Sequence, residues 1–236
     1  MKRIIGALLI LIGLGTVSYT MYMRYQADKA NEILIARFEE SLIDLDDLTP
    51  SDGPVSENPV LPGDPTEEVL PGDPSQDDPS QTPTSPSAPV KTAEELQKER
   101  EDVVNNAIKN LKVIGLISIP RIGVYGPIVE GIGDKSLKYA VGHFEGTGLP
   151  GSGNFALASH RNYTYAHYFR DIHKLKVGDE IKIKTKSKEY TYVVTGTKIV
   201  LPTAMEVLNH TDNSTITLVT CTVDSTKRVI VFGKLK

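Results

Sequence analysis

The sequence has little of what stabilises small secreted domains covalently. Its 236 residues include no tryptophan and one cysteine, Cys221. One cysteine cannot form an intramolecular disulfide, so a disulfide-stapled mini-protein is excluded. Hydrophobic residues make up 39% of the chain and charged residues 24%. These ordinary averages also exclude a multi-span membrane protein and a collagen-like fibre.

Basic residues are missing from one long stretch. Residues 38–90 contain no lysine or arginine but thirteen Asp/Glu, a net charge of −13, and eleven of the 15 prolines fall between 50 and 89. Residues 1–37 carry a net charge of +3, and residues 91–236 carry +6. The total of −4 therefore describes none of these segments, and the sequence predicts three parts with different roles.

Charged residues are also missing between Ile4 and Met23. A helix of about 20 residues spans a hydrocarbon core roughly 30 Å thick. A cleaved signal sequence is the alternative, but this run is long and ends in bulky residues, whereas signal peptides end in small ones. Residues 1–24 are therefore predicted to be a cytoplasmic stub and a single transmembrane anchor, which places the following domain outside the cell. Residues 25–43 are predicted to be a juxtamembrane helix.

The acidic, proline-rich residues 44–91 contain few apolar side chains. Such a composition cannot bury enough surface to offset its chain entropy, so these residues are predicted to be a disordered linker. Its expected role is that of a spacer between the membrane and the working domain. A short motif is repeated at Leu61–Pro65 and Leu70–Pro74. Self-occupancy of a groove in the domain by this repeat is the alternative to a plain spacer.

Residues 92–112 have the signals of a helix. Thr92 and Glu95 have the spacing of a capping box, which satisfies the free N–H groups at a helix start. The apolar face of this helix is predicted to consist of Leu96, Val103, Ala107 and Leu111.

Residues 113–236 are predicted to form a mainly β domain. Seven runs have the apolar or alternating pattern of strands: 114–119, 124–129, 155–159, 180–185, 190–200, 216–220 and 229–235. One small helix is predicted at Ala204–Leu208. Seven or eight short strands with few helices favour a closed β-barrel or a sandwich.

The single cysteine lies at the end of a predicted strand. An odd cysteine in an exported domain indicates intermolecular pairing or a reactive thiol, and a buried, inert Cys221 is the alternative. A thiol nucleophile needs a general acid for the leaving amine and a donor for the developing oxyanion. His160 is the favoured acid among five histidines, because it ends an apolar strand. Arg228 is the favoured donor, because a short loop joins its strand to that of Cys221.

Several motifs together resemble the sortases, the cysteine transpeptidases of Gram-positive cell envelopes. Thr217–Cys221 is similar to their T-L-x-T-C signature, Ala156–Arg161 to their L-A-x-H segment and Arg228–Val231 to their R-x-x-V strand. Further matching segments occur in the usual order at residues 117–120, 127–131, 141–144 and 175–179.

This resemblance implies an eight-stranded sortase β-barrel over residues 113–236. It implies Cys221 as the nucleophile, His160 as the general acid and base, and Arg228 as the oxyanion stabiliser. Ser159 and Thr220 are predicted to contact substrate, because they adjoin these residues. The implied reaction cleaves an LPXTG-like sorting signal of a secreted protein between Thr and Gly. A peptidoglycan-precursor amine then accepts the protein.

The segments between and before these motifs indicate the class of sortase. The short stretch 201–215 departs from class B, and no Asp-Pro-aromatic lid of class C precedes the domain, which leaves class A and class D. No metal and no other cofactor is expected, and no nucleic-acid partner.

Two other functions remain open at the level of sequence. One is a different cell-wall cysteine peptidase or transpeptidase, although papain-like enzymes place the cysteine before the histidine. The other is a tethered surface-binding β module without chemistry, which predicts a Cys221 that does not react with thiol reagents.

Overall fold

The computed structural model describes residues 2–46, 92–161 and 167–236. The helices are α1 (Lys2–Asp46), α2 (Ala93–Ile108) and α3 (Asp134–Tyr139), with short 3-10 turns at Pro120–Ile122, Ile172–Lys174 and Met205–Leu208. The strands are β1 (Val113–Ile119), β2 (Val124–Glu130), β3 (Val141–His143), β4 (Asn154–Ala158), β5 (Glu180–Lys184), β6 (Glu189–Val200), β7 (Thr215–Cys221) and β8 (Arg228–Leu235).

The eight described strands close into one barrel, in the order β1-β2-β3-β4-β7-β8-β6-β5. Most neighbours are antiparallel, but β2 pairs with β3 and β4 pairs with β7 in parallel. Closure removes the exposed sheet edges that a sandwich would leave. The predicted closed eight-stranded β-barrel with a few short helices is thus confirmed, and the sandwich alternative is wrong.

The barrel encloses the main hydrophobic core. Every strand contributes buried side chains to it, and β3 contributes Val141. Its other members include Ile117, Ile128, Phe155, Leu157, Tyr192 and Leu218. The alternation of Ile181 and Ile183 with exposed or half-buried lysines on β5 follows the two-residue period of a strand. The core therefore follows from the apolar pattern of the sequence.

The predicted strand runs agree with the observed strands to within one residue at most ends. Strand β3 was not predicted, because three buried residues are too short for an alternating pattern. The small helix expected at Ala204–Leu208 is the 3-10 turn at Met205–Leu208.

Helix α2 begins with the predicted reciprocal capping box between Thr92 and Glu95. Its predicted apolar face is wrong in part, because Leu96 and Val103 are 42% and 49% exposed. The buried residues are Val104 and Ile108, which pack with α1 and the outside of the barrel. The face is rotated because the neighbouring helix, rather than the local pattern, decides which side is covered.

Helix α1 covers the predicted anchor and juxtamembrane segments. From Leu9 to Tyr22 its side chains are exposed, and from Met23 onward one side of the helix is buried. Within the part of the chain that the structure describes, no helix has the length and apolarity needed to cross a membrane. Of the predicted linker, residues 44–46 end α1, and residues 47–91 lie outside the described residues.

Candidate active site

The register between β4 and β7 brings the candidate acid and nucleophile to one level. Paired residues differ by 61 in number, from Asn154 opposite Thr215 to Ala158 opposite Val219. Continuing by two residues sets His160 beside Cys221, and a 3.2 Å bond from Ser159 N–H to the Val219 carbonyl extends the pairing past β4. Neighbouring strands lie about 4.8 Å apart, so these side chains start close together.

A buried hydrogen bond holds the two strand ends in place. The Thr220 hydroxyl donates to the Ser159 carbonyl over 2.8 Å, and both residues are less than 5% exposed. Each lies one residue before a candidate catalytic residue. Because an unmatched buried carbonyl costs about 1–3 kcal/mol, this bond disfavours any separation of the strand ends.

Strand β8 adds the third candidate residue. β7 and β8 are antiparallel, and Cys221 lies directly opposite Arg228. The connecting residues 222–227 form a tight loop in which Ser225 adopts a positive φ of 59°. His160 lies two residues beyond the end of β4, Cys221 ends β7 and Arg228 begins β8, so the three lie side by side.

The β7–β8 loop is organised around Asp224. Its carboxylate accepts bonds from the Thr222 hydroxyl and from the backbone N–H and hydroxyl of Thr226. These bonds, that of Thr222 first, lower the pKa of Asp224 to about 2. The Arg228 guanidinium donates to the Ser225 and Lys227 carbonyls over 3.4 and 3.2 Å, so the loop also restrains the arginine. Sequence analysis missed Asp224, although the pattern Thr-x-Asp-x-Thr is typical of such a turn.

Environment also tunes the histidine. Partial burial of the imidazole lowers the pKa of His160 below its ordinary value, and the Asp134 carboxylate opposes this with a smaller effect. The neutral ring is consequently favoured more than it is for a histidine in water.

All five predicted site residues line one cavity of about 320 Å³. Cys221 is partly exposed to it. Most of the other lining groups are apolar and come from α3 and the loop before it, the end of β6 and the residue after it, the Met205–Leu208 turn and β8: Ile132, Leu137, Val200, Leu201, Met205 and Ile230. Sequence analysis missed this wall, because its residues come from segments far apart in the chain.

A second cavity, of about 500 Å³, meets the first at His160 and Cys221. Its lining is more basic and includes Arg161, Arg170, His173 and Lys174. Asp171 offsets part of this charge, since it pairs with Lys174 at 3.1 Å and with Arg170 at 3.3 Å. The thiol thus lies where an apolar cavity and a basic cavity join.

His143, unlike His160, serves the fold. His143 is 2% exposed, its Nδ1 lies 2.8 Å from a Glu130 carboxylate oxygen, and its Nε2 lies 3.0 Å from the Gly148 carbonyl. Its ring packs on Phe155. These contacts fasten the loop after β3 rather than present a group to either cavity. Among the described residues, no group of three His, Cys, Asp or Glu side chains is arranged to hold a metal ion.

Comparisons with known proteins agree with this geometry. A family model described as a Sortase domain matches residues 117–236. Sortase A of Bacillus anthracis is 35% identical over 141 residues, which cover 59% of this chain and 67% of the relative. Sortase A of Streptococcus agalactiae is 37% identical over 134 residues, and the match covers 54% of each chain. This chain thus spans little more than half of the second relative.

Solved structures give the same family. The Clostridium perfringens Sortase D5 transpeptidase is 39% identical, with a TM-score of 0.50, and the match covers 61% of this chain and 89% of that one. A lid mutant of Sortase A from Corynebacterium diphtheriae is 27% identical, with a TM-score of 0.52, over 64% of this chain and 83% of that one. The family model extends over just over half of the chain and includes the end of β1 and all of β2–β8. The chain therefore belongs to the sortase family of cysteine transpeptidases.

Proposed function

We propose that this chain is a membrane-anchored sortase that cleaves an LPXTG-like signal between Thr and Gly and joins the released carboxyl group to a cell-wall amine. In this proposal Cys221 is the nucleophile, His160 is the general acid and base, and Arg228 stabilises the oxyanion. The observation that carries the proposal is the placement of these three residues on adjacent strand ends, around one cavity.

The first half-reaction forms a thioester. The Cys221 sulfur attacks the Thr carbonyl carbon, and the Arg228 guanidinium donates to the oxygen as it gains negative charge. The C–N bond to Gly then breaks, and His160 gives its proton to the departing amine. The products are an acyl-enzyme and a peptide that begins with Gly.

The second half-reaction transfers the acyl group. The acceptor amine attacks the thioester carbon, and its proton passes to His160. The C–S bond breaks and returns the Cys221 thiolate, so that the enzyme regains its starting protonation. No oxidant, metal or cofactor enters either step.

The two cavities suit two different substrates. The apolar wall of the 320 Å³ cavity fits the Leu and Pro side chains of the signal. The basic cavity on the other side of Cys221 fits an acceptor that carries carboxylates or phosphates, such as a peptidoglycan precursor. Ser159 and Thr220 line the signal cavity, and we assign the Thr220 hydroxyl a positioning role because Ser159 accepts its hydrogen bond.

Residues 4–23 are proposed to anchor the chain as a single membrane span with the barrel outside the cell. The proposal is supported by the uncharged sequence from Ile4 to Met23 and by the exposure of the α1 side chains from Leu9 to Tyr22. Tyr19, Tyr22 and Tyr25 near its end suit a membrane interface.

A ligation assay tests the proposed reaction. We expect the full chain, incubated with LPXTG peptides of varied X and with triglycine, to give a product in which triglycine replaces everything after Thr. Mass spectrometry identifies the product, and peptides with the order of the five residues scrambled serve as the control. Cleavage at another bond, or equal turnover of the scrambled peptides, would contradict the proposed specificity.

The acid limb of the pH profile follows from the environment of His160. The cysteine–histidine pair is active when it holds one proton, and acid inactivates the pair by adding a second. Because burial lowers the pKa of His160, this second proton binds only at lower pH than it would with an exposed histidine. We expect a bell-shaped profile of kcat/KM whose acid limb lies below about 6.5, the ordinary histidine value. Asp134→Asn should move that limb lower still, since the Asp134 carboxylate raises this pKa, whereas Asp212→Asn should not. An acid limb above that value would contradict the assignment.

A further inference from the structure

Helix α1 is packed against the body of the enzyme from Met23 onward. One side of it is buried through Met23, Ala27, Ala30, Leu34 and Phe38, all at most 7% exposed. Their spacing of three or four residues gives a continuous stripe along the helix. The stripe begins at the residue where the uncharged run of the sequence ends.

The partners of this stripe belong to α2 and to the outside of the barrel. Ala30 and Leu34 share a buried cluster with Ile108 of α2 and with Val129 of β2. The segment after Met23 is therefore part of the globular body, although its position in the sequence suggests only a connection to the membrane.

Polar contacts fix the position of α1 further. The Arg37 guanidinium donates to the Ile108 carbonyl at 3.3 Å and to the Asn105 side chain at 3.2 Å. The Tyr168 hydroxyl donates to the Asn31 side-chain oxygen at 2.9 Å, which ties the barrel to the helix directly. Such specific bonds are expected of a fixed contact and not of two parts joined by a loose linker.

The contacts also show how α1 and α2 are oriented. Lys29 lies near Glu101, at 3.7 Å, and Arg37 bonds Asn105, so both helices advance in the same direction. The end of α1 at Asp46 therefore lies roughly 40 Å along the helix axis from the start of α2 at Ala93, at about 1.5 Å per residue. Residues 47–91 join these two points.

We propose that α1 is a rigid strut that holds the barrel against the membrane surface, so that α1, and not the length of the acidic tract 47–91, sets the distance between them. The proposal rests on the membrane anchor proposed above. If residues 4–23 are in the bilayer, the buried stripe begins at the membrane interface and the barrel lies beside it. The length of the tract then has no effect on the height of the active site. This replaces the spacer role that the composition alone favours.

Energy transfer from the barrel to the bilayer tests the strut. A donor dye is attached to Val223→Cys, a position 86% exposed beside the active site, in the otherwise cysteine-free Cys221→Ala chain. The full chain is reconstituted in phosphatidylglycerol–phosphatidylcholine vesicles that contain an acceptor-labelled lipid. Three tracts are compared: native, shortened by deletion of 59–82, and doubled.

A docked strut and a flexible tether predict different changes in energy transfer. A flexible tether has a root-mean-square span of about 5–6 Å times the square root of its length, which rises about twofold from the short to the doubled tract. Transfer that falls steadily as the tract lengthens would therefore overturn the strut. Equal transfer efficiency in all three chains is the expected result.

A matched pair of substitutions tests the contact itself. Ala30 is fully buried in the stripe, whereas Ala36 lies on the exposed side of the same helix. Ala30→Glu should make transfer depend on tract length, and Ala36→Glu should not. An Ala30→Glu chain that behaves like Ala36→Glu would contradict the role of the stripe. The comparison of the three tracts in the unsubstituted helix stands even if Ala30→Glu does not fold.

Flotation separates failure of the strut from failure of the anchor. Vesicles are washed with alkaline carbonate and floated before transfer is measured. A chain that does not float overturns the anchor and the strut together. A chain that floats but whose transfer depends on tract length overturns the strut alone.

Discussion

Cys221→Ala should abolish both formation of the acyl-enzyme and transfer to triglycine. Without sulfur no thioester forms, and the remaining groups have no nucleophile to activate. Loss of a catalytic nucleophile typically lowers kcat by about 10⁴-fold or more, and the rate left should be that of background hydrolysis. The ligation assay measures this loss. Retained acyl-enzyme or transfer in the alanine variant would overturn the proposed mechanism.

The single cysteine makes the control for this prediction simple. Because Cys221 is the only thiol in the sequence, one alkylation event reports on that residue alone. We expect iodoacetamide to add one group to the native chain, with activity lost in parallel, and to add none to Cys221→Ala. An LPXTG peptide should slow the alkylation, since both compete for the same sulfur. Alkylation without loss of activity would assign the chemistry to another residue.

Arg228→Ala should lower kcat by about 10²–10³-fold with a much smaller change in KM. That is the usual effect of removing one donor that acts mainly on the transition-state oxyanion. Arg228 lies opposite Cys221 across β7 and β8, and its guanidinium is restrained by bonds to the Ser225 and Lys227 carbonyls. Arg228→Lys keeps the charge but loses the planar donor geometry, so it should recover only part of the rate.

Lys227→Ala is the matched control for Arg228. Lys227 is exposed, also basic and adjacent in sequence, and its backbone already takes part in the loop. Its removal changes the net charge equally but leaves the donor beside Cys221. We expect near-native kcat for Lys227→Ala. Equal losses in both variants would indicate a general effect of charge, and a loss confined to KM would indicate ground-state binding instead.

Family membership also decides between the functions left open by the sequence. Sortases are cysteine transpeptidases, so the chain is an enzyme and not a passive surface-binding module. The relatives include Sortase A, Sortase D and Sortase SrtE1 enzymes, so the restriction to class A or class D stays a prediction. The sorting signal and the acceptor are the parts of the proposed function that the ligation assay addresses.

Much of this protein follows from its sequence alone. The closed barrel comes from short apolar runs separated by Gly and Pro, which can bury their side chains only by pairing with one another. The helix start at Thr92 is local, because a capping box involves groups only three residues apart. Cys221, His160 and Arg228 could be chosen as candidates because each residue type has a distinct chemical role, and because Cys221 and His160 follow apolar runs and Arg228 begins one.

Tertiary structure decided what depends on residues far apart in the chain. The pairing of β4 with β7, in which partners differ by 61 in residue number, sets His160 beside Cys221. That pairing and the hydrogen bond between Thr220 and Ser159 depend on tertiary structure. The buried side of α2 was mispredicted because α1 covers it, and the docking of α1 changes the inferred role of the acidic tract. Sequence patterns indicate which apolar side chains will be buried. Only packing determines which partners cover them, because many surfaces of similar apolarity compete for the same contact.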